Sequence, residues 1–357
     1  MPVIAPTPTT PEYPLVVFDA EGREVAEADG SALSESVAAR IAAGGVTDVV
    51  LLCHGWLDAL ADAESAYHAW LETAHPLAWP GPVPPLVIGA HWPSTPLATG
   101  EPPDVPAELE AHLADGTLAT AVANAGSDIA DFLSFWTMRQ RAITLGSSPT
   151  GLARLVSRVF SAGSAAGGTG IRLHLVGHSL GCIALSGALS AAGAAQGPHA
   201  ATLFLAQAAE SSWAFSARAP FLTGGTGKYH AVVDEGLVDG ALVATRSTHD
   251  EALGVWYRLG MEFVLQRSYA AAAPGQPARA AAIGAEGLGF DPSVPTAGVL
   301  PPLVPGATHF ALAAGHQYSI DGSALIASHA DVDHIEIARL FFEAVAVVTG
   351  GRSPTPR

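Results

Sequence analysis

The sequence predicts an α/β protein whose mostly parallel, doubly wound sheet carries helices on both faces. Continuous β-branched and apolar runs occur at Val46–Cys53 (VTDVVLLC), Pro85–Ala90, Ile171–Val176 and Ala201–Ala206. Such runs, without polar alternation, are typical of strands buried on both faces. Helical stretches separate them, the order of a parallel sheet with crossover helices. Composition agrees with a packed core: 49% of residues are hydrophobic and only 14% charged, against roughly 25% in an average soluble domain.

The elements follow in order. Residues 1–12 are rich in Pro and Thr and read as a flexible segment. PLVVFDAEGREVAE reads as two short strands joined by the turn Asp19–Gly22. Ser31–Ala43 opens on a capping serine, has apolar residues at helical spacing and stops at Gly44-Gly45. Between the second and third buried strands lie three helical patterns, Pro106–Asp115, Ser127–Leu145 and Thr150–Ala162, more than one crossover requires. Extra length at the carboxyl edge of a sheet commonly builds a lid or pocket wall, so 91–165 and 208–240 are candidate lids. Ala241–Thr245 and Gln317–Ile320 supply further strands. Ala270–Pro305, dominated by Ala, Pro and Gly, reads as a surface excursion. One domain over 13–349 and a flexible tail at 350–357 complete the organisation.

Several classes are disfavoured at once. Asp and Glu number 33 against 16 Lys and Arg, a net charge of −17 that repels nucleic-acid phosphates and anionic lipid. The two cysteines, Cys53 and Cys182, lie in apolar runs and read as small buried hydrophobes, neither a disulfide framework nor thiol nucleophiles. There is no basic segment followed by an apolar signal core and no apolar run of roughly 18 residues, so the expectation is a cytoplasmic protein without an integral membrane segment.

The sharpest chemical signal is Gly177-His178-Ser179-Leu180-Gly181, between an apolar strand and an Ala/Leu-rich helix. In a G-x-S-x-G turn the glycines permit a sharp strand-to-helix bend, and the serine hydroxyl stands at a helix N-terminus. The second signal is LLCHGW, Leu51–Trp56, at the end of the first buried strand. The backbone N–H groups of Trp56 and Leu180 are the expected oxyanion donors. His54, His178, His91 and Trp92 are candidate pocket residues.

The turn, the H-G-W loop and the strand alternation resemble the α/β-hydrolase superfamily over roughly 13–349. FWTMRQRAITLG, LAQAAESSWAF, VATRSTHDEALG and the WPS at Trp92–Ser94 are similar to a bacterial and fungal branch of it, which names no substrate. The resemblance implies the chain order serine, acid, histidine. Asp250 lies a few residues beyond the Ala241–Thr245 strand and is the first candidate acid; Glu210, after the preceding strand, is its rival. The base is His329 or, alternatively, His334, both ahead of the closing helix. The activity implied is a cofactor-independent serine hydrolase, esterase- or lipase-like, acting on a neutral, partly apolar small-molecule ester. An amidase, thioesterase or acyltransferase would use the same residues, and a silent binding module would keep the fold alone. Anionic substrates are disfavoured unless Arg139, Arg141 or Arg218 converge on the site.

Other signals carry less. No H-E-x-x-H occurs, and His174 and His178 straddle a strand and its turn, so no metal is expected. GGTGKY at 224–229 departs from a P-loop at Leu222 and Tyr229, and Gly284, Gly287 and Gly289 do not make a dinucleotide fingerprint. Phe132, Phe135 and Trp136 recur at helical spacing, the mark of a core-facing stripe.

Overall fold

The apolar runs become the centre of one sheet. The computed structural model describes residues 3–56, 59–95, 102–165, 170–193, 197–219, 225–264, 276–289, 297–307 and 309–351. Its strands are β1 (Val3–Ile4), β2 (Tyr13–Val17), β3 (Asp48–Cys53), β4 (Leu86–His91), β5 (Arg172–His178), β6 (Thr202–Ala206), β7 (Ala241–Arg246), β8 (Ala297–Val299) and β9 (His316–Asp321). They lie in the order β1-β2-β4-β3-β5-β6-β7-β9-β8. All neighbours are parallel except β1, which pairs antiparallel with β2. Cys53 is in register with both Ala90 and Gly177, and His178 with Ala206, so the carboxyl ends of the central strands finish level.

The helices are α1 (Leu33–Ala42), α2 (Leu60–Ala74), α3 (Ala107–Ala114), α4 (Thr117–Asn124), α5 (Ile129–Ser147), α6 (Leu152–Ala165), α7 (Leu180–Ala192), α8 (His230–Asp234), α9 (Arg258–Val264), α10 (Ile283–Glu286) and α11 (Ile335–Thr349). Successive strand side chains point to opposite faces. Val49, Leu51 and Cys53 therefore join one core with α1, α5, α6 and α7, while Val50 and Leu52 join a second with α2 and α11. This is the physical reason the runs show no alternation: both faces are covered. Among the described residues no helix is long and apolar enough to cross a membrane.

Four elements differ from expectation. The hairpin after Tyr13 is reduced to a single bridge between Phe18 and Glu24, because β2 takes its sheet partner from β4 instead. Helix α1 lacks a serine cap; Ser31 bonds Asp29, and Ser34 Oγ donates to Glu24. Residues 3–4, within the segment read as flexible, form β1. The surface excursion is corrected most: Ala278, Ala280–Ile283 and Leu288 are buried, and 297–299 add β8 beside β9. Small alanines allow close packing there without an apolar period. Residues 1–2 and 352–357, 220–224 of the 208–240 stretch, and 270–275 and 290–296 of the 270–305 stretch lie outside the described residues.

Candidate active site

Strand β5 ends at His178 and α7 begins at Leu180, so Ser179 alone makes the turn, at φ 55° and ψ −122°. Ser179 and Gln207 are the only non-glycine residues with positive φ among the described residues. Such backbone costs on the order of 1–3 kcal/mol and persists only where its surroundings hold it. Here Ser179 N–H donates to Ala206 O (3.1 Å), while Ser179 O accepts from Cys182 N–H (3.2 Å) and Ala209 N–H (3.1 Å). A Cβ on Gly181 would collide with the Cys53 carbonyl, and one on Gly177 would stand 2.9 Å from Cys182 N. The flanking glycines are therefore demanded by close backbone approach.

Ser179 Oγ lies 2.7 Å from His329 Nε2, and His329 Nδ1 lies 2.7 Å from Asp250 Oδ2. A carboxylate accepts, so Nδ1 carries the proton and Nε2 is free to accept from the serine hydroxyl. Asp250 Oδ1 accepts from Leu253 N–H (3.0 Å), and Oδ2 also accepts from Gln207 Nε2 (2.9 Å). Gln207 is itself clamped, donating to Gly284 O (3.0 Å) and accepting at Oε1 from Thr245 Oγ (3.1 Å). His178 Nε2 donates to the His329 carbonyl (2.9 Å), which ties the histidine loop to the residue before the serine. Gln207 is absent from the sequence expectations; no motif marks it.

The loop after β3 closes on the same point. A Cβ on Gly55 would stand 2.7 Å from Ser179 Cβ, so only glycine lets this backbone lie against the serine. The N–H groups of Trp56 and Leu180 make no hydrogen bond among the described residues, as oxyanion donors require. His54 sets the loop: Nδ1 donates to Gly55 O (3.0 Å), and Nε2 accepts from Trp92 N–H (3.2 Å) and His91 Nδ1 (3.1 Å). Trp92 Nε1 donates to His54 O (3.2 Å), and its ring stacks on the imidazole at 5.6 Å. His91 and Trp92 thus act as a buried brace for the loop.

The rival residues lie elsewhere. His334 stands at the N-cap position of α11, with Nε2 3.0 Å from Asp331 Oδ1. Glu210 is buried in the packing around α7, and its Oε2 makes no hydrogen bond among the described residues. Burial pushes its carboxyl from 4.5 up to about 8, against the pull of Lys228 and Arg139. The folded protein therefore holds a proton that the unfolded chain releases above about pH 4.5. The associated stability is full below that pH and is lost as pH rises to about 8. The fall is at most ~1.4 kcal/mol per pH unit. Glu210→Gln is expected to flatten this decline in denaturant unfolding followed from about pH 5 to about pH 8. An unchanged slope would refute the assignment. Cys182 is likewise buried, its thiol pushed well up by lost solvent.

A cavity of about 450 Å³ opens beside the serine, lined by His54, His178 and His329 together with Tyr67, Trp70 of α2 and Trp256. Trp256 belongs to a π-helical segment, Ala252–Tyr257, that begins two residues after Asp250. No described lining residue comes from 91–165 or 208–240. Phe132, Phe135 and Trp136 of the first stretch are buried in the core on the sheet, and residues 96–101 and 220–224 of the two stretches lie outside the described residues. A separate cavity of about 320 Å³, between residues 7–11, α2 and α11, contains no member of the serine array. Among the described residues no group of three or more His, Cys, Asp or Glu could hold a metal ion.

Fold and site together define a mostly parallel α/β protein with a partly buried, hydrogen-bonded Ser–His–Asp array at the carboxyl ends of its central strands. No family model matches the chain, and comparison with curated proteins and with solved structures returns no match.

Proposed function

We propose that this protein is a serine hydrolase of the α/β-hydrolase type that cleaves carboxylic esters through an acyl-enzyme. The carrying observation is the unbroken hydrogen-bonded sequence from Ser179 Oγ through His329 to Asp250. In this reading Ser179 Oγ bonds to the carbonyl carbon while its proton passes to His329 Nε2. The carbonyl electron pair becomes an oxyanion facing Trp56 N–H and Leu180 N–H. Collapse breaks the bond to the alcohol oxygen, which takes the proton from His329. Water then repeats the sequence and releases the acid. Asp250 holds the histidine tautomer and balances the imidazolium charge.

An ester with an apolar group suits the largely apolar cavity, whose described lining includes three tryptophans and neither Lys nor Arg. Treating intact protein with a fluorophosphonate and mapping the adduct is the direct test. The expected result is a single adduct on Ser179 that is missing from Ser179→Ala. An unreactive serine in folded protein would refute the hydrolase and favour a binding module on the same fold.

A further inference from the structure

The cavity beside Ser179 has one formally charged wall. Of the residues lining it, Asp333 alone is a carboxylate, and Trp56, Trp70 and Trp256 supply large π surfaces around the same space. Trp56 and Trp256 meet edge to face at 5.3 Å, with Phe135 packed behind Trp56 at 5.7 Å, so this aromatic corner is braced from the core.

Asp333 is held by no fixed partner among the described residues and feels only the charges of the nearby His334 and Asp331. Among the described residues its carboxylate makes no hydrogen bond or ion pair, whereas neighbouring Asp331 bonds both His334 and Ala327 N–H. It stands two residues before α11, yet no N–H of that helix bonds it. The residue is exposed at the rim, and loss of water to nearby protein atoms raises its carboxyl above the usual aspartate value, with Asp331 adding to the shift and His334 opposing it. A ligand cation at this point would replace that lost solvation.

The alternative charge is placed away from the cavity. Arg139 lies over Trp136 and Tyr257 at 5.1 and 5.7 Å, Arg141 reaches Pro93 O, and the backbone of Arg218 closes a local turn with the Ser216 hydroxyl. None of the three lines the pocket. A net charge of −17 adds a long-range field that attracts cations. Aromatic rings and a carboxylate around one apolar space are what an organic ammonium group binds.

We propose that the cavity selects esters carrying an organic cation, with an ammonium group held among Trp56, Trp70 and Trp256 and Asp333 as its counter-charge. This rests on the hydrolase reading above and names its substrate class. The probes are 4-(trimethylammonio)phenyl acetate and 4-tert-butylphenyl acetate, alike in shape and different in charge, with each rate divided by that ester's own hydroxide-catalysed hydrolysis rate to remove the difference in leaving group. Wild type is expected to favour the ammonium ester by about 10-fold or more in kcat/KM, and Asp333→Asn to reduce that ratio by about 10-fold. Asp333→Lys should invert the preference. Calorimetric titration with phenyltrimethylammonium supplies a readout independent of turnover. Fluorophosphonate labelling of Ser179 with equal turnover of the two esters overturns the cation site and leaves the hydrolase standing. No labelling, with phenyltrimethylammonium still binding wild type about 10-fold more tightly than Asp333→Asn, overturns the hydrolase and keeps the cation site.

Discussion

Replacing His329 by Ala is expected to lower kcat for p-nitrophenyl ester hydrolysis by about 10⁵–10⁶-fold, as losing the nucleophile's base does in serine hydrolases generally. The reason is positional. His329 is the imidazole within hydrogen-bond reach of Ser179 Oγ, at 2.7 Å, and the residue is held twice, at ring Nδ1 by Asp250 and at its backbone carbonyl by His178. His334 is occupied with Asp331 and lines no part of the cavity. His334→Ala should therefore retain activity within about 3-fold, and its cost should fall on the start of α11. Steady-state rates on esters of graded acyl length, with folding matched by circular dichroism, decide between them. Loss of activity in His334→Ala with His329→Ala unaffected would sink this assignment, while the dependence on acyl length would size the cavity.

Asp250→Asn should cost about 10⁴-fold in kcat. The three groups facing this carboxylate all donate: His329 Nδ1, Gln207 Nε2 and Leu253 N–H. An asparagine offers one oxygen and one NH₂ group, and its NH₂ must confront a donor wherever it points. The least costly arrangement keeps the oxygen toward His329 and Gln207 and sets the NH₂ against Leu253. The imidazolium then loses its counter-charge, and a buried N–H loses its acceptor. Rate and stability should fall together, stability by ~1–3 kcal/mol. Glu210→Gln, by contrast, should leave the rate within about 3-fold because Glu210 contacts neither His329 nor Ser179 among the described residues. A slow Glu210→Gln enzyme beside an active Asp250→Asn would reverse the choice of acid.

Much of this site is legible from local pattern. The strand, turn and helix around Ser179 are written in consecutive residues, because a G-x-S-x-G bend depends on glycines two positions either side of the serine. The end of β3 at His54-Gly55 is equally local. Gln207 is not: its role comes from a positive φ and from partners at Thr245, Asp250 and Gly284, none of which leaves a spacing to read. The packed segment 276–289 is hidden for a related reason. Its helix, α10, spans only Ile283–Glu286, and its alanines show no periodic face, although Ser247 N–H and Gln207 both bond Gly284 O. Helix α4 escapes notice because it buries only Leu118 and Val122.

By itself the sequence determined the class of sheet and the position of the turn serine, while the short set of acids and histidines rested on the chain order that the resemblance implies. Sheet class and turn depend on hydrophobic runs and glycine positions, which act through neighbours in the chain. Tertiary structure alone decided that Asp250 and His329 are the partners, because those hydrogen bonds join residues 79 and 150 positions apart. It also decided that α2, the π-helical segment and residues 329–333 meet around one cavity. Spacing along a chain carries no information about contacts that form only when distant strand ends are brought level by register.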